Sequence, residues 1–201
     1  MTISGSDAGN YNLLQQTGLT DNVTVKSITI TGTTASNKVY NTNTTATLVT
    51  TSSVITNGAT SSSDNKYYTA DTVSLVKTGA AATFADKNVE AGKAVTVTGF
   101  TLSGADASNY ALVQPTGLTA NITKADLNVT GITASNRVYD TTVTAKLGGT
   151  AAVSPLSGDV VTVGGTAAGT FANKNVDTNK AITITGVTIS GTDAGNYNII
   201  Q

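Results

Sequence analysis

Ala94-Val95-Thr96-Val97-Thr98-Gly99-Phe100 alternates apolar and hydroxyl side chains, and Ala181-Ile182-Thr183-Ile184-Thr185 repeats the arrangement. Successive side chains of a strand point to opposite faces, so Val95 and Val97 take one face and Thr96 and Thr98 the other. One apolar face and one hydroxyl face mark a half-buried antiparallel strand. Similar runs recur about every 8–12 residues between Gly, Asn and Asp turn positions, a spacing that suggests a sandwich of about seven strands. Composition agrees. Of 201 residues 40 are Thr and 20 are Gly, and 39% are hydrophobic against 11% charged and 5% aromatic. Thr and Val fit a pleated, half-buried surface, and alanine-rich helical heptads are absent. The expected fold is all-β.

These strands belong to a longer internal repeat. Ile3–Ile28 matches Leu102–Leu127 at an offset of 99, with 14 of 26 positions identical. Ile28–Leu48 matches Leu127–Leu147 at the same offset, with 12 of 21 identical. Phe84–Val113 matches Phe171–Ile200 at an offset of 87, with 17 of 30 identical. The difference of 12 residues is an insertion inside Val49–Thr83, which contains the polar run TSSVITNGATSSSDNKYY and reads as a longer loop or hairpin near 49–83. Residues 27–124 are read as one complete repeat and 125–201 as a second that lacks its last strand. Residues 1–26 are the C-terminal part of a preceding repeat. Strand-like sequence (VTVKSITI, ITKADLNVT) runs through both junctions and predicts short, stiff connections. The expected architecture is a rod of tandem immunoglobulin-like antiparallel β-sandwich repeats. Its buried positions are expected at Val39, Tyr40, Leu48, Phe84, Val95, Val97, Leu102 and Tyr110. Those of the second copy are Val138, Tyr139, Leu147, Phe171, Ile182, Ile184, Ile189 and Tyr197.

Net charge is −1, with 11 basic and 12 acidic residues scattered singly. No basic stripe points to nucleic acid, and no 18-residue apolar run points to membrane insertion. No charged start followed by an apolar stretch reads as a signal peptide. Met1 running straight into repeat sequence reads as a start codon on an excised fragment, with any export signal outside it. The sequence has no Cys, His or Trp. Lack of Cys fits folding outside the cytoplasm, but cytosolic proteins also lack it. Without His or Cys the common catalytic triads cannot be built, the carboxylates show no telling pairing, and the single Glu, Glu90, sits in a polar turn. No enzyme activity, catalytic residue or cofactor is expected.

Two motifs recur. Ala35–Thr42 and Ala134–Thr141 read A-S-N-[KR]-V-Y-[ND]-T, followed by T-A-x-L. Phe84–Tyr110 and Phe171–Tyr197 read F-A-x-K-N-V…K-A-[VI]-T-[VI]-T-G…S-G-x-D-A-x-N-Y. Together they resemble the YDG/MBG-type repeats of large bacterial surface adhesins of the filamentous-haemagglutinin, two-partner-secreted kind. The resemblance covers nearly the whole chain. It implies a secreted or cell-surface stalk or adhesin module and carries over no catalytic residue. That family's Tyr-Asp-Gly has glycine third, and Tyr40-Asn41-Thr42 and Tyr139-Asp140-Thr141 depart from it.

The loop Gly-x-Asp-Ala-x-Asn-Tyr occurs three times, around Asp7, Asp106 and Asp193. Asp106, Asn109, Asp193 and Asn196 are the weak candidates for an oxygen-ligand Ca²⁺ site. One carboxylate per loop is little charge for a cage, and an Asx-type turn with the Tyr packed as a corner outweighs it. No bound metal is expected. Tyr40 and Tyr139 could stack on sugars, but half-buried core tyrosines are the favoured reading. Lys87 and Lys174 could form isopeptide crosslinks. No Glu recurs beside them, so solvated lysines are favoured. The Thr29/Thr31, Thr96/Thr98 and Thr183/Thr185 rows are too short for an ice-binding rank. Asn-x-Ser/Thr triplets at Asn22, Asn43, Asn121 and Asn128 carry no weight in so Thr-rich a chain.

The function expected is a non-catalytic structural and adhesive module, extracellular, acting as stalk and in attachment. The alternative is a ligand-binding module that recognises glycan or host-cell protein through the 49–83 loop. Neighbouring repeats of the same protein are the expected partners. Residues 1–26 of one molecule are further expected to complete the second repeat of another by strand addition, giving head-to-tail self-association.

Overall fold

A computed structural model describes residues 1–201. Strands and turns make up the chain, with three one-turn 3₁₀ helices at Ala8–Asn10, Ala107–Asn109 and Ala194–Asn196 and no α-helix. The first unit holds β1 (Lys26–Thr31), β2 (Thr34–Ala35), β3 (Lys38–Val39), β4 (Thr45–Ala46), β5 (Leu48–Val49) and β6 (Val54–Ile55). It continues through β7 (Ser74–Val76), β8 (Ala81–Phe84), β9 (Glu90–Thr98), β10 (Thr101–Ser103), β11 (Tyr110–Val113) and β12 (Leu118–Thr123). The second holds β13 (Ala125–Asn128), β14 (Thr130–Ser135), β15 (Thr144–Ala152), β16 (Thr162–Phe171), β17 (Ile182–Ser190) and β18 (Tyr197–Ile200).

The alternating stretch behaves as its pattern dictates. In β9 Lys93, Val95 and Val97 are buried while Ala94, Thr96 and Thr98 are exposed. β9 pairs antiparallel with β8 and β12 inside a five-stranded sheet ordered β3-β12-β9-β8-β4. A three-stranded sheet, β11-β1-β6, and the two-stranded pieces β10-β7 and β2-β5 complete the unit. Ile30, Tyr40, Ala46, Ala82, Phe84, Val95, Val97, Phe100, Ala120 and Ile122 meet in one apolar cluster that also takes in Leu127 and Tyr197 of the second unit.

The second unit is built from a four-stranded antiparallel sheet, β14-β15-β16-β17, and the pair β13-β18. Its strands are longer because glycine bulges keep them continuous. A Cβ at Gly149 (φ 78°) would come 2.1 Å from the Gly131 carbonyl oxygen, so only glycine lets β14 and β15 close there. At the matching place in the first unit stands Thr50, and the chain turns instead, Ser53 N–H donating to Thr50 O at 3.1 Å.

Several expectations need correcting. The strands are not uniformly antiparallel: β1/β11, β3/β12 and β13/β18 are parallel. These partners lie far apart in sequence, and only such distant strands can run parallel. Val39 is 57% exposed because its neighbour Tyr40 takes the inward face, and adjacent strand residues cannot both point in. Leu48 and Leu102 are half-buried. In the second unit Tyr197 is buried, but Val138 and Tyr139 are 87% and 51% exposed, and Leu147, Phe171, Ile182, Ile184 and Ile189 are only half-buried. There the place that β12 holds in the first unit is open. The 49–83 segment, expected as a longer loop or hairpin, contains β6, β7 and most of β8.

Candidate functional site: the joint between the two units

Tyr40 follows the edge strand β3, and Lys87 stands in the turn between β8 and β9. Both reach into the second unit. Lys87 Nζ lies 2.8 Å from Asp159 Oδ1 and 2.9 Å from Asp193 Oδ1. Asp159, in the loop between β15 and β16, has a side chain only 1% exposed. Its carboxylate also accepts the hydroxyls of Tyr40 (2.8 Å) and Tyr197 (2.7 Å). The two tyrosine rings meet edge to face at 5.6 Å, and Lys87 lies 5.8 Å from the Tyr40 ring. Beside them Val89 N–H donates to Asn196 Oδ1 at 2.9 Å, and Asn196 Nδ2 donates to Asn88 Oδ1 at 3.2 Å.

The charges are mutually consistent. Burial pushes the Asp159 carboxyl up, but the bonds from Lys87, Tyr197 and Tyr40 outweigh it and hold the group below the usual carboxylate range. Asp193 is held low by the Val160 N–H and by Lys87. Lys87 is pushed up by Asp159, Asp193 and Tyr40. Burial and the Asp159 bond push Tyr197 up to about 12. At neutral pH the cluster is one ammonium, two carboxylates and two neutral phenols. A protonated amine has no lone pair for amide formation, so the geometry makes Lys87 a clasp rather than a crosslink.

Of the four loop candidates, Asp193 and Asn196 serve the joint. Asp193 Oδ2 accepts Val160 N–H at 2.9 Å while Oδ1 faces Lys87, so an ammonium occupies the side where a cation would sit. In the first unit Asp106 Oδ2 accepts Thr72 N–H at 2.8 Å, and Asn109 is exposed in the 3₁₀ turn. No group of three or more His, Cys, Asp or Glu side chains is placed to hold a metal. Glu90 pairs with Lys93 at 3.3 Å, and Asp86 bonds the same ammonium. Lys87 corrects its reading as a solvated lysine, whereas Lys174 is exposed. Tyr40 is 2% exposed and Tyr139 51%. Thr96/Thr98 and Thr183/Thr185 face solvent.

Sequence reading missed Asp159 and its first-unit equivalent Asp71, which accepts the Tyr110 hydroxyl at 2.6 Å. Neither sits in a recurring motif. The legible signal was that a basic Lys-Asn-Val and an acidic Asp-Ala-x-Asn-Tyr recur together in each unit, which is what joining like units requires.

The insertion forms a second organised surface. Asp64 accepts Lys26 Nζ at 2.8 Å and the N–H groups of Thr60 (2.6 Å), Ser61 (3.2 Å) and Lys66 (3.2 Å). The neighbouring Tyr68 is 43% exposed, with Lys26 5.6 Å from its ring.

The turn after each Val-Tyr explains the departure from Tyr-Asp-Gly. Thr42 and Thr141 adopt left-handed φ of 67° and 68°, the conformation a third-position glycine takes without strain. A family model for the YDG domain matches residues 24–117 and again residues 123–201. No curated protein and no solved structure matches the chain. With two copies of that model spanning most of its length, the chain belongs to the YDG domain family.

Proposed function

We propose that this chain is a non-catalytic structural and adhesive module of a bacterial cell-surface or secreted adhesin, a tandem of immunoglobulin-like β-sandwich units that forms a stalk. The observation that carries the reading is the joint. Lys87 and Tyr40 of one unit are locked onto Asp159, Asp193 and Tyr197 of the next, and apolar side chains run through the same boundary. A catalytic domain has no need of so fixed an angle between two like units; a spacer does. Extracellular residence fits the Cys-free composition and the family resemblance.

Small-angle scattering on the chain and on Lys87→Ala tests the proposal. An extended particle with one narrow inter-unit distance is expected, broadening in the variant. A wild-type chain that already samples many inter-unit angles overturns it.

A second reading is favoured by the insertion, whose backbone is fixed by Asp64 and which presents Tyr68 beside Lys26. A preorganised loop with an exposed aromatic face suits a glycan or a host protein. Glycan-array binding by the chain that disappears in Tyr68→Ala is the expected result if this loop recognises sugar. Equal binding by both, or none, removes it.

A further inference from the structure

Each unit carries one face built on the same frame. In the second unit Tyr197 donates its hydroxyl to Asp159 at 2.7 Å and accepts Leu156 N–H at 2.9 Å. In the first, Tyr110 donates to Asp71 at 2.6 Å and accepts Tyr68 N–H at 3.0 Å. Matching apolar residues cluster with each tyrosine, Leu127 and Val161 in the second unit, Ile28 and Val73 in the first. The strands beneath agree as well. β13 runs parallel to β18 with Ala125 opposite Tyr197, and β1 runs parallel to β11 with Lys26 opposite Tyr110.

What covers the face differs. Over the second unit's face lies the first unit, whose Tyr40 ring meets Tyr197 edge to face at 5.6 Å and 76°, with Ile122 in the same cluster. Over the first unit's face lies that unit's own insertion. Its Tyr67 ring meets Tyr110 edge to face at 6.4 Å and 85° and packs against the cluster of Ile28, Val73 and Tyr110. Both occupants keep water out: Leu127 and Tyr197 are 4% and 3% exposed, Ile28 and Tyr110 0% and 7%. We propose that the insertion is a built-in cap on the first unit's joint face, which excludes from it a like unit of the kind that the second unit's face receives.

The cap is anchored in place. In the second unit Ser154-Pro155 connects Val153 to Leu156, whereas in the first unit the longer Thr56–Tyr67 connects Ile55 to Tyr68. Tyr67 N–H donates to Thr56 O at 3.0 Å and Ala59 N–H to Tyr67 O at 3.1 Å, which closes the base of the loop. Thr29 N–H of β1 donates to Asn65 O at 3.2 Å. Lys26 Nζ bonds Asp64 at 2.8 Å and Ser61 O at 2.7 Å, and its side chain is only 9% exposed. A buried ammonium stripped of its carboxylate is costly, so Lys26 itself favours the closed cap. The second unit has Ala125 at that position, so the anchor occurs only where the insertion does.

The two occupants cannot share one face. Tyr67 holds against Tyr110 the place that Tyr40 holds against Tyr197, and a protein interior is packed too densely for two rings in one site. A like unit arriving there must lift Tyr67 out, which breaks the Lys26–Asp64 pair and the bond from Thr29 to Asn65. A unit that carries the cap therefore ends a run of clasped units on that side, with the frame of the face unchanged. This rests on the joint being a fixed contact and asks nothing of the insertion as a sugar-binding loop, since Tyr67 is half-buried and Tyr68 is exposed.

Moving the cap tests this. In one graft a copy of Thr56–Tyr67 replaces Ser154-Pro155 and Ala125→Lys supplies the anchor; a second graft also carries Tyr67→Ala within the copied segment. Small-angle scattering should give one narrow inter-unit distance for wild type and a broad spread for the first graft. The second graft should be narrow again, because its loop is the same but the ring that displaces Tyr40 is gone. In the otherwise natural chain, Tyr67→Ala should speed hydrogen exchange of the β1 and β11 amides at least about tenfold, from lost burial and ring contact, and leave the Tyr40 amide unchanged. A first graft that keeps the wild-type distance, or two folded grafts that scatter alike, overturns the proposal. Unaltered exchange in Tyr67→Ala overturns it too, and that measurement decides alone should the grafts lose their strand content. A wild-type chain with no fixed distance removes both the cap and the joint, whereas failure of the grafts leaves the joint standing.

Discussion

Asp159 is the residue on which the joint turns. Asp159→Ala leaves the hydroxyls of Tyr40 and Tyr197 and the ammonium of Lys87 without their common acceptor. A loss of about 2 kcal/mol in unfolding free energy is expected by denaturant titration, from unsatisfied buried donors. The pH dependence has two limbs. Asp159 and Asp193 are held below their ordinary range, so their contribution is complete above about pH 4 and is lost as pH falls through their depressed values. Tyr197 works in the opposite sense: raised to about 12, it contributes fully below about pH 10 and loses that contribution as pH climbs toward 12. Unfolding midpoints measured across both limbs should fall at each end, and a profile flat from pH 4 to 2 would count against the clasp. Of this site the sequence showed the tyrosines and the Asp loop as local turn chemistry. Asp159 was illegible because its role depends on a lysine 72 positions away in another unit.

Among the strands, β12 ties the main sheet of the first unit together, pairing with both β3 and β9. Ile122, 1% exposed, anchors it, and Ile122→Ala should cost about 3 kcal/mol by cavity formation, read from thermal or denaturant unfolding. The turn after β3 offers the opposite test. Thr42→Gly relieves a left-handed φ of 67° and should raise stability by up to about 1 kcal/mol, seen as a higher melting temperature; no change or a decrease would show that the Thr42 side chain offsets its strain. Strand identity was legible in β9 and β17 because alternation reports which face is wet. Direction was not: the pattern reads the same both ways along a strand, so the parallel pairs β1/β11, β3/β12 and β13/β18 left no mark in it. Val39 was misread for the converse reason, when two adjacent apolar residues were both assigned to the core.

Across the whole molecule, one apolar cluster crosses the boundary between units, with Tyr40 and Ile122 on one side and Leu127 and Tyr197 on the other. Two repeats that share buried side chains should melt together. Calorimetry should therefore show a single cooperative transition for the wild-type chain, and two resolved transitions once Asp159→Ala loosens the boundary. Two transitions in the wild type would mean that the shared cluster does not couple them. The repeat itself was plain in the sequence through its offsets of 99 and 87. The same comparison showed the units to be unequal, since residues 125–201 contain no counterpart of TGLTANIT, the segment that forms β12 in the first.

The parallel pairs have a mechanical consequence. In each unit the strand that enters, β1 or β13, lies beside the strand near its exit, β11 or β18, and runs the same way. Tension applied along the chain draws Ala125 backward and Ile200 forward, so β13 and β18 are made to slide past one another. Sliding loads every rung of that ladder at once, whereas antiparallel neighbours pulled from their open ends unzip rung by rung. The direction of these few short strands thus makes each unit a shear clamp, resistant to stretching out of proportion to its small core.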